Sequence, residues 1–198
     1  MKLAIINYNA GNTQSVIYAL ERLGIQPLLT DDPEELKSAD RVLLPGVGEA
    51  GSAMNSLKSR GLDKVIGELK QPFLGICVGM QLMCSHSEEN NTPCLNIFSE
   101  KVRAFNNYRK PEFKIPHMGW NQLEQLKSPL FKGVLEGAYA YFAHSYYVED
   151  SPFAIVHTDY IQKFASGLQK DNFYAVQFHP EKSGELGVQL FKNFLEIN

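Results

Sequence analysis

Apolar positions in the first half of the chain fall in short unbroken runs separated by helical spacings. Leu3-Ala4-Ile5-Ile6 is an uninterrupted apolar run, the pattern of a strand buried on both faces. Asn12 or Thr13 caps a helix along which Val16, Leu20 and Leu23 recur, and Gly24 ends it. Pro27-Leu28-Leu29-Thr30 predicts a second strand. Asp32-Pro33-Glu34-Glu35 then supplies the cap, first-turn proline and early acids that open a helix. Arg41-Val42-Leu43-Leu44 reads as a third strand running into Pro45-Gly46-Val47-Gly48. Helical spacing follows at Ala50, Ala53, Met54 and Leu57, and again at Leu62, Val65, Ile66 and Leu69. Phe73-Leu74-Gly75-Ile76 is the fourth strand. This alternation implies right-handed βαβ crossovers, hence an α/β fold with an open, mostly parallel sheet and helices on both faces.

Beyond about residue 95 the pattern turns aromatic and β-branched, with turn signals and few helical periods. Tyr139 to Val148 and Phe173 to Phe178 are the clearest strands there. Gly184 to Leu195 predicts a closing helix that buries Leu186, Leu190, Phe191 and Phe194, and the polar stretch Ser85 to Asn91 reads as a loop or helix end. Without repeats or low-complexity tracts, residues 1–198 are expected to form one domain with β elaboration in the second half.

Composition narrows the function. A chain of 198 residues with 44% hydrophobic and 21% charged positions matches an ordinary globular protein. A net charge of −3 gives no basic excess to neutralise nucleic-acid phosphates. No apolar stretch approaches the roughly 18 residues of a membrane helix, and the N-terminus turns polar too early for a signal peptide. A cytoplasmic protein is expected, bound to neither nucleic acid nor membrane. Cys77, Cys84 and Cys94 form no CxxC pair, which argues against zinc and against a disulfide framework. No metal or cofactor is expected.

Gly75-Ile76-Cys77-Val78-Gly79 follows an apolar strand and precedes a helix-compatible run, as in a nucleophile elbow with cysteine in place of serine. At a helix N-terminus, backbone N–H groups and the dipole favour a thiolate. Cys84 and Cys94 lack this glycine context. A cysteine nucleophile needs a base with an orienting partner. His179 is delivered by the strand Phe173 to Phe178, and Glu181 follows two residues on, so in an extended chain both side chains point to one face. Pro45-Gly46-Val47-Gly48, at another strand's carboxyl end, suits the backbone donors of an oxyanion hole, worth roughly 3 kcal/mol for one donor.

Together these segments resemble the class I glutamine amidotransferases, with their Cys-His-Glu triad and flavodoxin-like sheet. The resemblance covers nearly the whole chain. Gly75-Ile76-Cys77-Val78-Gly79-Met80-Gln81 and Gln177-Phe178-His179-Pro180-Glu181-Lys182-Ser183 mark the whole class. Asn7 to Asn12, Pro116-His117-Met118-Gly119-Trp120-Asn121 and His144-Ser145-Tyr146-Tyr147 resemble a narrower set of glutaminase subunits that serve a cyclase of histidine biosynthesis. The resemblance implies that Cys77 is the nucleophile, His179 the general base and acid, and Glu181 its orienting partner. Val47 and Gly48 would shape the oxyanion hole, and Gln81, Glu89, Ser145 and Tyr146 would bind glutamine. Asn12, Trp120 and Lys182 match positions near a partner interface. The implied partner is a (β/α)8-barrel cyclase forming a heterodimer, which uses the ammonia to make imidazole glycerol phosphate and aminoimidazole carboxamide ribonucleotide. The alternatives are the same glutaminase serving another barrel cyclase, which forms an amidine on a sugar, and a self-sufficient cysteine hydrolase.

Overall fold

In the computed structural model, which describes residues 1–8 and 13–197, the first half of the chain winds a parallel sheet. Its elements are β1 (Leu3–Ile6), α1 (Thr13–Glu21), β2 (Leu28–Thr30), α2 (Pro33–Lys37), β3 (Arg41–Gly46), α3 (Ala50–Ser59), α4 (Leu62–Glu68), β4 (Phe73–Cys77) and α5 (Val78–Met83). The expected capping at Asp32 is present, its carboxylate accepting from the N–H groups of Glu34 and Glu35. The unbroken apolar runs of β1 and β4 are buried along their whole length.

The second half adds β5 (His86–Ser87), β6 (Thr92–Pro93), β7 (Lys101–Ala104), β8 (His117–Gln122), β9 (Tyr139–His144), β10 (Tyr146–Val148), β11 (Ala154–Asp159), β12 (Lys163–Lys170), β13 (Phe173–Val176) and α6 (Gly184–Glu196). The main sheet runs β2-β1-β3-β4-β13-β12-β10-β7-β5-β6, with β11 also paired to β12. Strands β2, β1, β3, β4 and β13 are mutually parallel, and the antiparallel extension begins at β12. Ligands collect at the carboxyl ends of such parallel strands. Here β3, β4 and β13 lie side by side, so the segments leaving their carboxyl ends converge.

Four local expectations are corrected. The segment from Tyr139 to Val148 is not one strand: it breaks at Ser145, leaving β9 in a separate two-stranded ribbon with β8 while β10 joins the main sheet. Strand β13 ends at Val176 rather than Phe178. Ser85 to Asn91 carries a short strand, β5, and a 3-10 turn at Glu89–Asn91. In α6, Leu190, Phe191 and Phe194 are buried as expected, whereas Leu186 is half-buried at the margin. No helix among the described residues is long and apolar enough to cross a membrane.

Candidate active site

Cys77 closes β4 and forms the N-cap of α5 with φ 53° and ψ −109°. That left-handed backbone is unfavourable for a residue carrying a Cβ and persists only where the surroundings enforce it. The enforcement is visible in the flanking glycines. A Cβ on Gly79 would stand 1.9 Å from the Leu44 carbonyl oxygen, and one on Gly75 would stand 2.4 Å from the Met83 sulfur. Only glycine at both positions lets α5 turn back tightly over β3 and β4 and present the thiol at the strand ends.

Sheet register brings the other groups to this sulfur. Gly46 is the β3 partner of Cys77, which places the Val47-Gly48 turn beside it, and the Tyr8 hydroxyl donates to the Pro45 carbonyl at 2.8 Å to hold that strand end. Val176 of β13 pairs with Ile76, so the residues that follow β13 emerge next to Cys77. His179 Nδ1 lies 2.7 Å from Glu181 Oε1, and His179 and Cys77 line the same cavity. The pairing does not come from an extended chain. Pro180–Lys182 form a 3-10 turn, and this turn curls Glu181 back under the imidazole. Burial alone would lower the His179 pKa, but hydrogen bonds and charge from Cys77 and Glu181 together raise it to about 10.

A cavity of about 260 Å³ opens over the sulfur. Val47, Gly48, Gln81, Glu89, Ser145 and Tyr146 all line it, together with Cys77 and His179. Glu89 reaches the Ala50 N–H at the start of α3 (2.7 Å), and partial burial raises its pKa. Neighbouring Glu88 turns away to Arg103 (2.8 Å) and the Ala104 N–H (2.8 Å). Of the interface candidates, Lys182 lines the cavity rim, with its Nζ 5.6 Å from the Tyr141 ring centroid. Trp120 is exposed on β8 and does not line the cavity. Asn12 lies outside the described residues.

Several residues at the site carried no sequence assignment. Pro116 and Met118, at the start of the β8 ribbon, form part of the cavity wall. Beneath it, His144 Nδ1 contacts the Tyr146 carbonyl at 2.6 Å, and His144 Nε2 lies 2.9 Å from His117 Nδ1. A carbonyl only accepts, so His144 carries its proton on Nδ1 and accepts at Nε2 from His117. Burial holds both rings neutral, lowering the His117 pKa to about 4 and the His144 pKa to about 3. Gln177 is fully buried beside Cys77. The other two histidines lie elsewhere: His86 contacts Asn91, and His157 contacts Asp150. Burial raises the thiol pKa of both Cys84 and Cys94, the latter to about 11, so neither is poised as a nucleophile.

The sequence profile of the family described as "Glutamine amidotransferase class-I" matches residues 4–197. The chain is 58% identical over 197 residues to "Imidazole glycerol phosphate synthase subunit HisH" of Bacteroides fragilis, covering 100% of both chains. It is 44% identical over 204 residues to the protein of the same description from Photorhabdus laumondii, again covering 100% of both. Among solved structures, a putative subunit of GMP synthase from Thermoplasma acidophilum superposes with a TM-score of 0.76 at 21% identity, covering 99% of this chain and 92% of that one. A crystal structure described as a glutamine amidotransferase gives 0.74 at 18% identity, covering 98% and 97%. These two likenesses establish a shared fold.

Proposed function

The chain belongs to the class I glutamine amidotransferase family, and from that premise we propose that it is the glutaminase subunit of an imidazole glycerol phosphate synthase in histidine biosynthesis. The observation that carries the reading is that Cys77 and His179 share one cavity with Val47, Gly48, Gln81, Glu89, Ser145 and Tyr146, with Glu181 held 2.7 Å from the His179 ring.

The chemistry follows from the positions. The Cys77 thiolate attacks the side-chain amide carbon of glutamine, forming an S–C bond. His179, protonated across the neutral range, gives its Nε2 proton to the departing nitrogen as the C–N bond breaks, releasing ammonia. The γ-glutamyl thioester that remains is attacked by water. His179 now takes the water's proton, and the C–S bond breaks to return the electron pair to sulfur and release glutamate. The rim at Val47 and Gly48 offers backbone N–H groups to the tetrahedral oxyanion, and Glu181 keeps the imidazole in its tautomer throughout.

Ammonia becomes unreactive once protonated in bulk water, so the product has to pass directly to its acceptor. We assign that acceptor to a (β/α)8-barrel cyclase subunit in a cytoplasmic heterodimer, docked over the cavity rim at Met118 and Lys182 and the adjoining β8 face at Trp120, and enclosing an ammonia channel. The decisive experiment measures glutamate formation by this chain alone, with the cyclase, and with the cyclase plus its nucleotide substrate. Turnover is expected to rise at each addition. A high rate in the isolated chain that the cyclase does not change would instead identify a self-sufficient hydrolase.

A further inference from the structure

Gln177 presents a puzzle in burial. It is 0% exposed, and an amide taken out of water without hydrogen bonds destabilises a fold. A methionine or leucine would fill the same space at no such cost. Its carboxamide therefore needs a polar task, and the contacts around it define one.

The orientation of the amide follows from donor and acceptor logic. The Tyr146 carbonyl only accepts, so the Gln81 atom facing it at 3.3 Å is Nε2. The same Gln81 Nε2 lies 3.0 Å from Gln177 and donates to its Oε1. Gln177 must then turn its own Nε2 the other way, where it meets the Cys77 sulfur at 3.6 Å. Among the described residues this sulfur is the one acceptor that Nε2 has. The backbone arranges the meeting: Val176 and Ile76 are register partners on adjacent parallel strands, so Gln177 and Cys77 are the next residues side by side.

We propose that Gln177 is a further catalytic residue of this glutaminase, its carboxamide N–H donating to the Cys77 sulfur to stabilise and aim the thiolate. The inference rests on Cys77 being the nucleophile. The donor acts twice. It favours the thiolate that attacks glutamine, and it stabilises the electron pair that returns to sulfur when the thioester C–S bond breaks. Stabilising a thiolate also makes it a weaker nucleophile, but only by a Brønsted factor of about 0.4–0.5, so the gain in thiolate population prevails. His179 is the proton carrier of the reaction, whereas Gln177 never gives up its proton.

The test substitutes Gln177→Met and Gln177→Glu and reads two quantities in the folded protein. The first is the pH profile of Cys77 alkylation by iodoacetamide, which needs no glutamine. The second is glutamate formation in the complex with the cyclase. Methionine keeps the volume and loses the donor. Glutamate keeps the acceptor for Gln81 and sets a carboxyl against the sulfur. Both variants are expected to move half-maximal alkylation to higher pH by about one unit, and to lower kcat about tenfold with KM little changed. Unchanged alkylation profiles in the two variants would overturn the proposal and leave Gln177 as packing. A failure of the glutaminase reading appears separately, as absent turnover in the unsubstituted complex. Should both variants fail to fold, the side-chain amide protons of Gln177 in the unsubstituted protein are followed by NMR. They are expected to shift over the pH range in which alkylation switches on, and amide protons indifferent to that switch would equally overturn the assignment.

Discussion

His179 Nδ1 and Glu181 Oε1 stand 2.7 Å apart, with each side chain only 3% exposed. The second carboxylate oxygen of Glu181 is buried with no hydrogen-bond partner among the described residues. Its charge is therefore compensated chiefly through the imidazole, which makes the pair a dedicated support for a protonated His179. Replacing Glu181 with Gln keeps the shape and removes the charge, so His179 loses both its counter-ion and its fixed tautomer. Glutamate formation in the cyclase complex is expected to fall by roughly 10²- to 10⁴-fold. A loss smaller than about tenfold would show that His179 needs no orienting carboxylate.

The strained backbone at Cys77 makes a prediction about stability rather than rate. With φ 53° and ψ −109°, the residue occupies the mirror image of an ordinary extended conformation, which glycine adopts freely and alanine does not. Cys77→Ala and Cys77→Gly are both expected to abolish glutamine hydrolysis while leaving assembly with the cyclase intact. Calorimetric unfolding separates them: Cys77→Gly should be the more stable by roughly 1–2 kcal/mol. Equal stabilities would mean that the elbow holds no strain.

The four strands of the first half were legible in the sequence because a strand buried on both faces needs an unbroken apolar run, and β1 and β4 supply one. Cys77 was legible for a related reason, since its glycines are forced by close approaches to Leu44 and Met83 that admit no other residue. The second half was less so. Nothing in the run from Tyr139 to Val148 marks Ser145 as the point where the chain leaves the ribbon for the main sheet. That break depends on distant pairing of β9 with β8 and of β10 with β7. His179 and Glu181 do meet, but not through the extended chain the sequence suggests, because Pro180 opens a 3-10 turn instead of continuing the strand. Gln177 stands in a stretch that marks the class but carries no role in the sequence, since a glutamine acquires chemistry only from what its amide faces.

The buried His117–His144 pair predicts how stability depends on pH. In the unfolded chain a histidine titrates near 6.5, whereas in the fold His117 titrates at about 4 and His144 at about 3. Between those limits the unfolded state binds more protons than the native one. The contribution of the pair is therefore complete above pH 6.5 and declines as pH falls, by about 1.4 kcal/mol per pH unit for each histidine. His179 does not offset this loss. Its folded pKa is raised to about 10, so its own contribution is complete below pH 6.5 and is lost only as pH rises toward 10. Urea midpoints measured from pH 6.5 down to 4.5 should fall steadily, whereas above pH 6.5 the His179 contribution reverses the slope. A flat profile would mean that the two rings are charged in the native state.

The outward face of the β8–β9 ribbon makes the last prediction. Cross-strand partners Trp120 and Tyr141 share that face, their rings 6.0 Å apart and near perpendicular, and Lys182 extends its amine over Tyr141. Met118, on the same face of β8, also lines the cavity above Cys77, so whatever covers the ribbon also covers the cavity mouth. Trp120 is 55% exposed in the isolated chain. Truncating it should cost the fold no more than about 0.5 kcal/mol. At an interface, a large aromatic side chain on such a face is the kind that carries binding energy. Trp120→Ala is therefore expected to weaken association with the cyclase by roughly tenfold or more in titration calorimetry, at nearly unchanged Tm. An unaltered Kd would move the docking surface off this ribbon and with it the account of how ammonia is kept from water.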